Sequence, residues 1–217
     1  TGVSASQVEI HSQIQFFDNI VTENIQETLI KSAADLISEE TPNYQYVAGR
    51  LINYHLRKQV YGTFTPPCLC DIVQDNIDAG FYDPEFVELY TKEEINELQS
   101  FIDHSRDEYL TYAAMEQFRG KYLVQNRATG EIFETPQVAY MMIAATLFSK
   151  YPAETRMSYV KSYYDAISTF KISLPTPVMA GVRTPQRQFS SCVLIETDDS
   201  LDSINATSSA IVKYVSQ

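Results

Sequence analysis

Cys192 closes a polar run, Ser190-Ser191-Cys192, and opens an apolar one, Val193-Leu194-Ile195. A run of that length and composition predicts a short buried strand. The thiol then stands at a strand mouth, a position that suits redox or nucleophilic chemistry; a plain buried cysteine fits it too. Beyond the strand, Asp198-Asp199-Ser200 makes an acidic turn where a helix begins. Exposed amides at a helix start suit an anion or a nucleotide, and simple capping explains the same residues. Upstream, Pro175, Pro177, Gly181 and Pro185 forbid a continuous helix. Thr176 lies between two of these prolines, which hold its backbone extended and its hydroxyl fixed; a structural loop threonine fits the same position. Arg183 and Arg187 could serve phosphates, or could pair with acids and fix the loop; neither is assigned a site role.

Two other clusters invite chemistry and are read structurally. Cys68-Leu69-Cys70 could begin a metal site, but no second Cys or His pair lies at ligand spacing. These are read as ordinary cysteines near a helix start. Asp103-His104-Ser105-Arg106-Asp107 has acid, imidazole and hydroxyl in sequence, without a glycine-rich loop or a matching nucleophile. It is read as a solvated turn between helices.

The elements that must position these residues are mostly helical. Ser4 and Gln7 form a capping-box pattern for a first helix with Val8, Ile10, Ile14 and Phe17 on its apolar face. Thr22 is expected to cap a second helix, and Thr41-Pro42 to start a third that ends at Gly62. Pro66-Pro67 marks a boundary. Thr91-Lys92-Glu93-Glu94 is another capping box, and Tyr109, Tyr112 and Phe118 are placed on a following helix as core aromatics. Residues 121–125 and 131–134 flank Asn126-Arg127-Ala128-Thr129-Gly130, which predicts a β-hairpin. Thr135-Pro136 starts a helix with Met141 and Met142 as core filling, and residues 153–170 form an amphipathic one with Met157, Val160, Tyr164 and Ile167. The helix after Ser200 carries Leu201, Ile204, Ile211 and Val215.

The chain of 217 residues is long enough for a real core. Its net charge of −12 argues against nonspecific nucleic-acid or anionic-membrane binding. It contains no apolar run long enough for a transmembrane helix, and the first residues have no signal-peptide pattern. Three cysteines without disulfide-rich spacing favour a reducing compartment. A cytoplasmic location, or host cytoplasm for a viral chain, is expected.

Four short motifs carry a family resemblance: Leu174-Pro175-Thr176-Pro177, Gly181-Val182-Arg183-Thr184-Pro185, Arg187-Gln188-Phe189-Ser190-Ser191-Cys192, and Asp199-Ser200-Leu201-Asp202-Ser203-Ile204. In this order and spacing they resemble the large (α) subunit of class I ribonucleotide reductase. The likeness extends across nearly the whole chain. The family's α subunit is several times longer, so the chain resembles an N-terminal piece that lacks the family's first few dozen residues.

The resemblance implies a mainly α fold with a β-hairpin, leading into the first strand of a ten-stranded α/β barrel. It divides the chain into the helical part of an ATP-cone (1–62), a helical domain with the hairpin (63–171), and the start of the catalytic barrel with a dimer-interface helix (172–217). Thr22 and Lys58 match positions that contact the ATP or dATP activity effector. His55 also falls at a motif position, and Gln26 stands where some members have histidine. The cone's β element with its Lys-Arg turn is absent, so nucleotide binding there is expected to be weak or nil. Cys192 matches one of two reducing thiols, Thr176 the substrate-diphosphate contact and Ser191 a substrate-pocket position. Asp199, Ser200 and Leu201 match the site for the deoxynucleoside triphosphate specificity effector. The implied partners are the remainder of α, a second α, a β subunit holding a metal-radical cofactor, and thioredoxin or glutaredoxin. No cofactor is implied in this chain, which alone should be inactive. The alternative reading is a noncatalytic, acidic helical interaction module derived from that subunit.

Overall fold

Residues 2–216 are described by a computed structural model; Thr1 and Gln217, the outer ends of the first and last expected units, lie outside them. The helices are α1 (Ala5–Gln13), α2 (Thr22–Asp35), α3 (Tyr44–Tyr61), α4 (Leu69–Asp78), α5 (Glu85–Leu89), α6 (Lys92–Phe101), α7 (Tyr112–Gln117), α8 (Pro136–Phe148), α9 (Ala153–Ser168), α10 (Thr176–Gly181) and α11 (Leu201–Val215). A 3-10 turn, His104–Tyr109, precedes α7, and a π-helical turn, Phe118–Tyr122, follows it. No strand forms among the described residues.

The body is built around α8. Its sequence is apolar on every face, which suits a helix enclosed by others rather than one laid on a surface. Every residue from Pro136 to Ala145 is buried. It packs against α9, α10 and the 3-10 turn. Two hydroxyls are used where they meet it. Tyr90 donates to the Ala145 carbonyl at 2.8 Å, and Tyr164 donates to Gln137 Oε1 at 2.7 Å. Met141 and Met142 fill the core as expected.

The N-terminal three helices add a small cluster of Val8, Ala33, Tyr44 and Ala48. The joint to the main body is α3. Gly49 faces the backbone after the 3-10 turn so closely that a Cβ would collide with the Leu110 carbonyl. At its far end α3 stops at Gly62, whose φ of 68° is left-handed and whose N–H bonds the Lys58 carbonyl at 3.0 Å. The Thr91 capping box also forms. Its Glu94 additionally takes Arg156 Nε of α9 at 2.9 Å, so one carboxylate caps α6 and ties it to α9.

Several local expectations are corrected. Ser4 does not cap α1 with its side chain. Instead its N–H donates to the Tyr44 hydroxyl at 2.9 Å, and that hydroxyl donates to Gln7 Oε1 at 2.7 Å. Of the expected apolar face only Val8 is buried; Ile10, Ile14 and Phe17 are exposed. Thr22 is the first residue of α2 and Val21 is its N-cap. Asn43 occupies the N-cap position of α3, while Thr41 donates its hydroxyl to the Leu36 carbonyl behind α2 at 2.8 Å. Tyr109 is exposed, whereas Phe118 is in the core.

The hairpin and the barrel strand do not form as ladders. The π-helical turn takes up Lys121 and Tyr122, and Glu134 turns inward as an ion-pair partner. What remains is the turn itself, with one antiparallel bridge from Gln125 to Ile132 and Gly130 at φ 77°. The run Val193-Leu194-Ile195 has no β partner among the described residues, and Leu194 is 98% exposed.

Candidate functional site

Thr22 and Gln26 stand one turn apart on α2, and His55 and Lys58 one turn apart on α3. These helices pack side by side, so all four side chains converge on one groove of about 320 Å³. Glu23, Tyr54, Gln59 and Phe64 complete its lining. Tyr54 and Phe64 stack with centroids 3.9 Å apart and planes 13° from parallel. Lys58 Nζ donates to the Gly62 carbonyl at 2.7 Å and lies 5.6 Å from the Phe64 centroid. His55 is buried, with Nε2 3.5 Å from Glu27 Oε1. Gln59 donates to Glu23 Oε1 at 3.2 Å. The groove therefore offers an aromatic wall, a hydroxyl, amides and one ammonium, with two carboxylates near by. Tyr54 was not singled out from the sequence, although it lies four residues before Lys58 and so on the same side of α3.

The second candidate region is open. Thr176 is exposed and opens α10; its backbone is the first helical turn, not an extended link, because Pro175 makes the extended step at ψ 149°. Ser191 Oγ lies 3.8 Å from Cys192 Sγ, and both residues are exposed. Ser200 caps α11 by accepting the Ser203 N–H at 3.2 Å, and the Asp198 N–H donates to Ser203 Oγ at 2.8 Å. Asp199 is exposed beside this cap, and Leu201 is 80% exposed. Along its length α11 lies against the preceding segment, through Thr197 to Thr207 at 2.6 Å and Tyr214 to the Ser190 carbonyl at 3.4 Å. A cavity of about 560 Å³ behind α10 is lined by Gln125, Arg127, Thr184, Gln186 and Gln188 and receives none of these site residues. Cys68 and Cys70 are free thiols at the start of α4, with Cys70 Sγ donating to Asn96 Oδ1 at 3.3 Å. No group of three or more His, Cys, Asp or Glu side chains is placed to hold a metal ion among the described residues.

Residues 108–187 match the family model for the ribonucleotide reductase all-alpha domain. The whole chain is similar to the N-terminal region of reductase α subunits. It is 64% identical over 215 residues to ribonucleoside-diphosphate reductase 1 subunit alpha of Escherichia coli strain K12, covering 99% of this chain and 28% of that protein. Against the α subunit of Haemophilus influenzae the identity is 63% over 215 residues, with the same coverage. The α subunit of Enterobacteria phage T4 is 47% identical over 218 residues, covering 100% of this chain and 29% of that one. The chain thus spans little more than a quarter of the length of these relatives.

Two buried charge networks tie separate segments of the helical body together. Glu134 and Arg183 are both fully buried and form an ion pair. Arg183 Nε donates to Glu134 Oε2 at 2.8 Å, Nη1 to the Met179 carbonyl at 2.7 Å and Nη2 to the Tyr122 carbonyl at 2.8 Å. Tyr82 donates to Glu134 Oε2 at 2.5 Å, and the Val124 N–H donates to Oε1 at 2.7 Å. Burial and the Glu134 charge both push the Tyr82 hydroxyl pKa well up. Arginines 183 and 187 are thus structural here: Arg187 pairs with Asp83, beside the Tyr82 anchor.

The second network corrects the solvated-turn reading of residues 103–107. Asp107 is wholly buried, taking Arg57 Nη2 of α3 at 3.1 Å and Gln137 Nε2 of α8 at 2.9 Å. Burial pushes its carboxyl up to about 6, against the pull of Gln137 and Arg57. Burial, with Arg57 near by, pushes His104 down to about 4. Neither Asp107 nor Glu134 was legible as a core group, because a single acid carries no periodic signal of burial.

Proposed function

We propose that this chain works as part of a ribonucleoside-diphosphate reductase α subunit, in the replacement of a ribose 2′-hydroxyl by hydrogen. The observation that carries the reading is 64% identity over 215 residues, 99% of the chain. Two thiols supply two electrons and two hydrogens; the 2′ oxygen leaves as water and the sulfurs end as a disulfide. Cys192 is one of these thiols, and its exposure leaves it open to a second thiol and to a dithiol reductant such as thioredoxin or glutaredoxin. Thr176 and Ser191 contact the substrate. The second thiol would come from the remainder of α, and the metal-radical cofactor that starts the reaction from a β subunit. The chain alone is inactive on this reading.

Val193-Leu194-Ile195 becomes the first strand of the ten-stranded barrel when the remainder of α supplies its neighbours. The chain then divides into cone helices (1–62), a helical domain (63–171), and the barrel start with its interface helix (172–217). Asp199, Ser200 and Leu201 bind a deoxynucleoside triphosphate where α11 meets a second α. The α2–α3 groove receives ATP or dATP through Thr22 and Lys58, weakly, because Lys58 is already engaged with the Gly62 carbonyl and Glu23 and Glu27 stand near. A sub-micromolar calorimetric affinity for ATP would contradict that weakness. No helix among the described residues is long and apolar enough to cross a membrane, and a cytoplasmic site of action, the host's for a viral chain, follows the reductase reading. No nucleic-acid or membrane partner belongs to it. A noncatalytic module derived from the subunit is not favoured.

The deciding experiment is reduction of a ribonucleoside diphosphate by the complete α subunit with β added, comparing the parent with Cys192→Ser. Turnover with a dithiol reductant should vanish in the variant. Sustained multiple turnover by Cys192→Ser would sink the assignment.

A further inference from the structure

A buried ion pair is a poor source of stability, since desolvating both charges offsets most of their attraction. The Glu134–Arg183 pair has a different consequence, set by where its donors point. One planar guanidinium is aimed at three separate segments: the Met179 carbonyl within α10, the Tyr122 carbonyl at the end of the π-helical turn, and the Glu134 carboxylate before α8. Its own carbonyl accepts the Asp83 N–H at 3.0 Å. Tyr82 donates to Oε2 of the same carboxylate, the oxygen that also takes Arg183 Nε. A planar fork of this kind fixes direction as well as distance. Helix α10 is only six residues long, and Thr176 is its first. A helix that short moves as one body, so fixing Met179 fixes Thr176.

We infer that Tyr82, Glu134 and Arg183 are positioning residues for Thr176, setting where its hydroxyl meets the diphosphate of the substrate. The inference rests on the reductase reading above. Neither charged side chain reaches a ligand, since both are fully enclosed; they act through α10. Lysine in place of Arg183 keeps the charge and loses the fork, so α10 should keep its fold and lose its aim.

The test uses the complete α subunit with β and effector. In Arg183→Lys, KM for the ribonucleoside diphosphate should rise about tenfold while kcat at saturation stays within about threefold, the pattern of lost substrate binding. Thr176→Ala should then add much less in the Arg183→Lys background than alone, because both changes remove one interaction. Hydrogen exchange without nucleotide should quicken across residues 176–182 and stay unchanged in α9. Tyr82→Phe removes one donor to Glu134, is milder than any change to the ion pair, and should move KM the same way by about twofold to threefold. An unchanged KM, a fall in kcat that merely tracks folded protein, or unchanged exchange in α10 would each overturn the inference. Quickened exchange in α10 together with an inactive parent enzyme would sink the reductase reading and leave the positioning of α10 standing.

Discussion

Two apolar runs in this chain meet opposite fates. Residues 136–145 of α8 are all buried, while Val193-Leu194-Ile195 and every residue of α11 stay outside the core. Hydrophobicity does not separate them; the neighbours do. α8 is flanked by helices delivered from both sides of it in the chain, so its burial is completed locally. A strand of three residues needs ladder partners, and those described here are helices. Apolar residues with no local partner leave an exposed surface of the kind that marks an interaction site.

That contrast can be broken or sharpened by substitution. Leu98 is fully buried in the main core. Leu98→Ala should cost about 2–5 kcal/mol in urea unfolding of the chain, with the spread set by how far the site collapses. Gly49→Ala should cost about 1–3 kcal/mol, because the added methyl must push α3 away from the Leu110 carbonyl. By contrast Leu194→Ala should move stability by no more than about 0.5 kcal/mol, as for other exposed positions. A large loss for Leu194→Ala would mean that the apolar run has a partner within this chain.

The pH dependence sharpens the same comparison from inside the core. Asp107 titrates at about 6 in the fold, above its unfolded value, so the folded state holds the extra proton and stability falls as pH rises from about 4 to 6. His104 is depressed to about 4, so over that same window the unfolded state holds the extra proton and stability rises with pH. The two slopes oppose each other. Asp107→Asn removes the falling one, so unfolding free energy of that variant should climb more steeply with pH between 4 and 6 than the parent's. Equal slopes would show that Asp107 does not titrate in the fold.

The elements closed by local chemistry were legible from the residues alone. The Thr91 capping box, the Gly62 stop, the core helix after Thr135-Pro136 and the turn at Gly130 need only near neighbours, and all four stand in the structure. Ser4 and Thr41 look like caps in sequence, yet each hydrogen-bonds across to another helix once Tyr44 and Leu36 come near. The strand signals at 121–125 and 193–195 describe what those residues would do beside a sheet. Of the candidate sites, convergence of Thr22, Gln26, His55 and Lys58 was foreshadowed by the family likeness, but their aromatic wall was not. The ion pairs of Glu134 and Asp107 join residues far apart in sequence, and nothing local marks such partners.

Helix α3 belongs to two regions at once: His55 and Lys58 face the groove, Arg57 grips Asp107, and Gly49 lies against Leu110. The α3 side of the groove therefore cannot melt by itself while the domain beneath it stays intact. Any nucleotide that prefers the folded groove must raise the melting midpoint of the whole body, by mass action and in step with its free concentration. The large helical core thus acts as a built-in reporter for occupancy at a small site on its rim, readable by thermal shift with no label and no turnover.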